Sequence, residues 1–273
     1  MKLRWLLAST LVVAVALFAV ILRDRDPVRS EYCVAQVGQV RAQVDLEQAQ
    51  WSALMAAMAQ KRGLPPRATT IAIATAFQES KIHNIDYGDR DSIGLFQQRP
   101  SQGWGSVEQI LDPVYAIGKF YDGLVRVRGY EQMTITDAAQ AVQRSAHPGA
   151  YAQHEDYARA LASTLRGYSP SQFHCVVNPR DSGNVSTAAQ DVRESFGLDV
   201  VVVGDQLQVP LVGEAQDVDA RGWAVAHYLV ANAVNLGLTE VRFDGRVWTT
   251  ETSDRGWTVD PDAFASTVVA STN

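Results

Sequence analysis

The sequence predicts a mainly α-helical domain followed by a small α+β domain, behind an N-terminal transmembrane helix. Three observations carry that reading. Residues 5–22 form an apolar run closed by Arg23, Asp24, Arg25 and Asp26. Between residues 45 and 166, apolar residues recur at helical spacing. Beyond residue 190 the pattern changes to β-branched runs and alternation, broken by one amphipathic stretch.

The N-terminal run is about 18 residues long, which at ~1.5 Å per residue spans about 27 Å, close to the hydrocarbon thickness of a bilayer. Lys2 and Arg4 precede it, which favours a cytoplasmic N-terminus and external domains. A cleaved signal peptide is the alternative, with a shorter apolar core and a small-x-small site as its usual marks; residues 18–22 hold one small residue, Ala19. Either reading exports the rest of the chain. The expected organisation is a cytoplasmic start and anchor at 1–26, a stalk at 27–44, a helical domain at 45–168, a linker at 169–189 and an α+β domain at 190–273.

The formal charge of −6 comes without any dense Lys/Arg cluster, so the chain lacks the footprint of a nucleic-acid binder. Its two cysteines, Cys33 and Cys175, both follow the apolar run. An even count in an oxidising compartment predicts one disulfide, the alternative being two buried thiols. His83, His147, His154, His174 and His227 show no metal-ligand spacing, and no metal or other cofactor is expected.

Within the helical domain, Leu46, Trp51, Leu54, Met55 and Met58 share one face of a helix over 45–62, which Gly63 ends. Pro65 and Pro66 introduce a second helix over 67–79, which is apolar on all sides and therefore buried. Residues 81–106 are rich in Asp, Gly, Ser and Pro and read as loop with a small hairpin. Further helices are expected over 107–111, 113–127, 135–144 and 151–166. In the second domain, Gly204-Asp205 and Asp244-Gly245 mark hairpin turns, and 221–236 is a helix closed by Gly237.

Glu79 ends the buried helix. There it faces the negative end of the helix dipole beside apolar surface, and both disfavour the charged form. A carboxyl that keeps its proton is what a general acid for glycosidic cleavage requires. The bland alternative is a terminal Glu that bends into water.

Three ordered blocks narrow the choice. Glu79-Ser80 resembles the catalytic Glu-Ser pair of the lysozyme-like superfamily, in particular its soluble-lytic-transglycosylase-type domain. Gly94-Leu95-Phe96-Gln97 is similar to that family's Gly-Leu-Met-Gln segment. Residues 112–121, from Asp112-Pro113 to Tyr121, resemble its Asp-Pro helix, with Ala116 where Asn is usual. The likeness covers about residues 45–165. It departs at 141–151, where the family's Tyr-Asn-Ala-Gly segment has only Gln143 near the Asn position.

The resemblance implies cleavage of the β-1,4 bond between N-acetylmuramic acid and N-acetylglucosamine, with Glu79 as the acid. In a transglycosylase the sugar's own hydroxymethyl group completes the reaction. A hydrolase adds a second carboxylate, for which Asp86, Asp89 and Asp91 are candidates; turn or Asx-cap roles are their alternative. The resemblance points to Gln97, supported by Ser80 and Gln143, as a sugar contact. Tyr87, Phe96, Trp104 and Tyr151 are aromatic candidates for stacking, against core packing. The expected partners are peptidoglycan and, through the N-terminal helix, the cytoplasmic membrane. The rival reading is a lysozyme-like scaffold or wall-binding protein of an envelope machine that has lost turnover. Residues 190–270, with Arg221-Gly222-Trp223 and Gly256-Trp257, resemble a C-terminal module of exported, wall-associated proteins that is distantly similar to D-Ala-D-Ala peptidase folds but lacks their zinc motif, which implies a noncatalytic, wall-binding or structural module.

Overall fold

The chain enters its fold as a β-hairpin. A computed structural model describes residues 30–144, 149–180 and 183–272. In it β1 (Tyr32–Val37) and β2 (Val40–Val44) pair antiparallel, with Val37 opposite Val40 across Gly38 and Gln39. Gly38 takes a φ of 57°, and a glycine at the first central position suits a two-residue hairpin turn. Ala42 and Val44 are buried while Arg41 and Gln43 are exposed, the period-two pattern of a half-covered strand. On its other side β1 pairs with β3 (Phe173–Val176), which places Cys33 directly opposite Cys175. The two are joined by a disulfide.

Helix α1 (Leu46–Lys61) starts at a capping box between Asp45 and Gln48. Helix α2 (Pro66–Ser80) has proline in its first turn, and Ala68 to Ala76 are buried without a break. It is the central rod of this half, as its all-round apolar sequence requires. Helices α3 (Val107–Leu111), α4 (Pro113–Leu124), α5 (Ile135–Gln143) and α6 (Glu155–Leu165) surround it. The hairpin expected within 81–106 reduces to one bridge, Ile93 to Gln98.

The chain continues through α7 (Val185–Phe196), capped by Asn184, then β4 (Val201–Val203), β5 (Gln206–Pro210), α8 (Ala215–Ala231) and the short α9 (Ala233–Leu236). Strands β6 (Glu240–Phe243), β7 (Arg246–Thr249), β8 (Thr258–Val259) and β9 (Thr267–Ser271) follow. They complete a six-stranded antiparallel sheet in the order β4-β5-β9-β6-β7-β8.

This corrects the expected fold class. The described chain is mixed α/β with two antiparallel sheets, not a mainly α domain followed by a small α+β domain. The three-stranded sheet lies against the helices of the first half and is made from the segments read as stalk and linker. Its strands are only four to six residues long, and only β2 alternates cleanly between apolar and polar positions, so the period-two signal is weak. The expected transmembrane helix, the apolar run at 5–22 within 1–26, lies outside the described residues. Among the described residues no helix is long and apolar enough to cross a membrane.

Residues 31–273 form one compact unit, and buried bonds show why. His227 on α8 hydrogen-bonds through Nδ1 to the Thr164 carbonyl of α6 at 2.7 Å. The indole N–H of Trp248 donates to the Cys175 carbonyl at 3.0 Å, and that of Trp257 to the Phe173 carbonyl at 2.7 Å. Trp223, His227 and Trp257 stack edge to face or tilted, with Trp223 and Trp257 centroids 5.1 Å apart. Burial of each such indole is worth roughly 4–6 kcal/mol before entropy is counted. Gly222 lets α8 sit on the Phe243 ring, since a Cβ there would lie 2.0 Å from Phe243 Cζ.

Candidate active site

Glu79 stands in the last turn of α2, half-buried. Its Oε1 accepts a hydrogen bond from the Tyr151 hydroxyl at 2.7 Å. Tyr151 itself is fully buried just before α6. The carboxyl is therefore held by a rigid phenol rather than by a flexible surface chain.

The helix ends by a strained cap. Lys81 and Ile82 both take positive φ, 58° and 60°, and their N–H groups return to the carbonyls of Phe77 and Ala76. This is a Schellman-type closure without glycine. A β-branched residue in the left-handed region costs on the order of 1–3 kcal/mol, and the fully buried Ile82 side chain holds it there. The reversal sends residues 83–105 back across the helix end. Gln48 Nε2 donates to the Lys81 carbonyl at 2.8 Å, the Asn84 N–H donates to Glu47 at 3.0 Å, and His83 meets Asp45 at 3.0 Å.

Ser80 binds this returning loop. Its hydroxyl, which lies 3.2 Å from the Ala76 carbonyl, donates to the Leu95 carbonyl at 2.8 Å, joining the Glu79-Ser80 and Gly94-to-Gln97 blocks. Phe96 is fully buried and stacks on Phe120, with centroids 4.4 Å apart. Its carbonyl accepts from Gln143 Nε2 at 2.7 Å. Gln97, at φ 49°, donates through Nε2 to the Tyr87 carbonyl at 3.2 Å and lies 3.4 Å from that of Gly94. Gly88 makes room for it, because a Cβ there would lie 1.9 Å from Gln97 Oε1.

The sequence candidates thus separate. Glu79, Ser80, Phe96, Gln143 and Tyr151 belong to one connected cluster. Phe96 and Tyr151 are core residues and do not offer a ring face to solvent. Gln97 and Gln143 spend their amides on loop carbonyls. Trp104 is half-buried, its carbonyl accepting from the Tyr115 hydroxyl at 3.1 Å. Tyr87 is 69% exposed, which leaves it free to meet a ligand.

The three aspartates are not equivalent. Asp91 accepts from the Ser101 N–H at 2.8 Å and from Arg99 Nε at 2.6 Å. The Ser101 hydrogen bonds first, and then Arg99, hold its carboxyl well below the usual carboxylate range. Asp91 is the staple of its loop. Asp86 and Asp89 are exposed, and Asp89 lies 3.9 Å from Arg90.

The sequence reading assigned no role to the neighbours on the other side of Glu79. Gln78 Oε1 accepts from Gln153 Nε2 at 3.1 Å and meets His154 Nε2 at 3.0 Å. His154 stacks on Phe77 at 4.8 Å. Burial, and then the Lys81 charge, push the His154 pKa down. The one signal for this pairing was the Tyr151-to-His154 spacing, one helical turn, ahead of α6. No protein-family model matches this chain, and no curated protein matches it.

Proposed function

We propose that the chain cleaves the β-1,4 glycan strand of peptidoglycan, between N-acetylmuramic acid and N-acetylglucosamine, with Glu79 as its single acid and base. The observation that carries this reading is the pairing of Glu79 with the buried Tyr151 hydroxyl at 2.7 Å. Two further features support it: the Ser80 bond to Leu95, which fixes the returning loop, and the strained cap that follows.

In the proposed reaction the Glu79 proton passes to the glycosidic oxygen as the bond from that oxygen to the anomeric carbon breaks. The Tyr151 O–H stabilises the carboxylate so formed. Glu79 then takes the proton of the sugar's C6 hydroxyl as that oxygen bonds to the anomeric carbon. The product is a 1,6-anhydro sugar, and the acid is restored without water. Lytic transglycosylation is favoured over hydrolysis because Asp91 is committed to Arg99 and Ser101, while Asp86 and Asp89 are open to solvent. An extracytoplasmic location is part of the proposal, and the disulfide supports it.

One set of observations favours the scaffold reading. The amides of Gln97 and Gln143, both expected to meet sugar, serve loop carbonyls instead. Digestion of purified peptidoglycan separates the two. Anhydro-muramyl products from the unaltered chain that disappear in Glu79→Gln support the transglycosylase. Reducing-end products support a hydrolase. Binding to the wall without any product from the unaltered chain would overturn the enzyme.

A further inference from the structure

A cavity of about 390 Å³ lies between α1, the start of α4, and helices α7 and α8. That is within the roughly 300–1,000 Å³ typical of small-ligand sites. Trp51, Leu54, Met58 and Val114 supply apolar wall, and Asp191 and Tyr228 supply the polar end. None of its lining residues belongs to the Glu79 cluster, so it is a second site.

The polar end is built. The Tyr228 hydroxyl is 2.6 Å from Asp191 Oδ2 and 2.8 Å from the Ser195 hydroxyl. The Tyr228 hydroxyl donates to one of the two carboxylate oxygens, Oδ2. Among the described residues no Lys, Arg or His forms an ion pair with Asp191. Two cations also line the cavity, and each makes its hydrogen bonds to groups other than the Asp191 carboxylate. Lys61 Nζ donates to the Glu194 carbonyl at 2.6 Å. Arg62 donates to the Gly118 carbonyl at 3.1 Å and pairs with Asp122 at 2.5 Å. Burial, only partly offset by the Tyr228 hydrogen bond, pushes the Asp191 pKa up, and the Glu194 charge adds to it. The carboxylate is thus half-buried at the cavity wall with no ion pair among the described residues.

We infer that this cavity binds a small organic ammonium with an aromatic or branched apolar body, its charged nitrogen on Asp191 and its body against Trp51, Leu54 and Met58. An ammonium donates hydrogen bonds to the Asp191 carboxylate and forms with it the ion pair that no described residue makes. The apolar body displaces water from Trp51, whose ring also attracts a nearby cation. An anion of the same shape meets Asp191 and Glu194 and is repelled.

The inference stands apart from the glycan-cleaving proposal, and its test does not use activity. The full chain is titrated calorimetrically with 2-phenylethylammonium and, separately, with phenylacetate, which has the same ring and the opposite charge. The expected result is a Kd of about 1 mM or tighter for the ammonium and no measurable binding of phenylacetate. Asp191→Asn keeps an acceptor for Tyr228 but removes the charge, and is expected to weaken the ammonium about tenfold, the size of one charge-assisted bond. Trp51→Leu is expected to weaken it by a smaller factor. Equal binding of the two probes to the unaltered chain, or no binding of the ammonium, overturns the inference whether or not a variant folds. Unchanged affinity in a folded Asp191→Asn protein overturns it as well.

Discussion

Among the described residues two carboxyl groups meet tyrosine hydroxyls, in different surroundings. Glu79 meets Tyr151 at 2.7 Å, at the end of a helix where a strained cap turns the chain back into a polar loop. Asp191 meets Tyr228 at 2.6 Å in the body of α7, beside a walled cavity. In both pairs the tyrosine is buried and the carboxyl half-buried. The second differs in that its carboxyl lines a cavity. The same hydrogen bond therefore supports different chemistry in the two proposals. A carboxyl at a helix end beside a loop suits proton transfer to a long substrate. A carboxylate in a cavity wall suits retention of a small positive ligand.

The largest expected effect falls on the first pair alone. Glu79→Gln is expected to lower glycan cleavage by about 10²–10⁴-fold, the range for loss of a general acid, and to leave the melting temperature within about 2 °C, because the Gln amide oxygen still accepts from Tyr151. Product release followed by mass spectrometry, with thermal unfolding alongside, checks both halves. A large fall in stability would make Glu79 a structural residue and remove the contrast.

The His227 ring is fully buried, and burial pushes its pKa down from 6.5 to about 4, the Thr164 carbonyl opposing only in part. The unfolded chain takes up its proton first as pH falls. Stability from this site is therefore complete above about pH 6.5 and is lost progressively toward pH 4, by about 3 kcal/mol. Urea unfolding at a series of pH values is expected to show this slope, and His227→Gln to flatten it.

Tyr228→Phe is expected to cost about 2 kcal/mol, because it removes the partner of both Asp191 and the buried Ser195 hydroxyl. Tyr151→Phe is expected to act on catalysis instead, lowering kcat about tenfold through loss of one bond to a developing charge. If the two substitutions moved stability and kcat alike, the distinction between the pairs would fail. The smallest effect is a gain. The folded state favours the neutral form of Asp191, so at neutral pH its charge opposes folding and that penalty fades as pH falls through its raised pKa. Asp191→Asn is expected to stabilise the chain at pH 7 by on the order of 1 kcal/mol or less.

Much of the first half was legible because its signals are local. The helix around Trp51 and the all-apolar helix before Glu79 were placed within one or two residues, since capping residues, prolines and apolar periodicity mark their ends. The turns at Gly204-Asp205 and Asp244-Gly245 were equally clear, and both join paired strands. The first hairpin carried a similar mark in Gly38-Gln39 between valines, but its strands are short and interrupted by Gln36, Arg41 and Gln43. The first five residues of α7 fall in the segment 169–189 expected as linker, because the stretch from Gly183 to Thr187 is polar and the buried face of the helix consists mainly of Ala188, Ala189, Val192 and Phe196.

The site divides in the same way. Glu79 was legible from its place at the end of a buried helix, and Ser80 from adjacency. The partner of Glu79 was not, because Tyr151 lies 72 residues away and reaches it only when α6 packs on α2. Nothing local distinguishes Asp91, stapled to Arg99 and Ser101, from the exposed Asp86 and Asp89.

By itself the sequence determined the buried rod of α2, the carboxyl at its end and the two marked turns, because caps, periodicity and turn chemistry act over a few residues. Only the tertiary structure decided that the segments read as stalk and linker would pair into one sheet, that the two halves would share a core around Trp223, His227 and Trp257, and which tyrosine each carboxyl would meet. Those outcomes depend on burial between residues far apart in the chain, where no local preference distinguishes one partner from another.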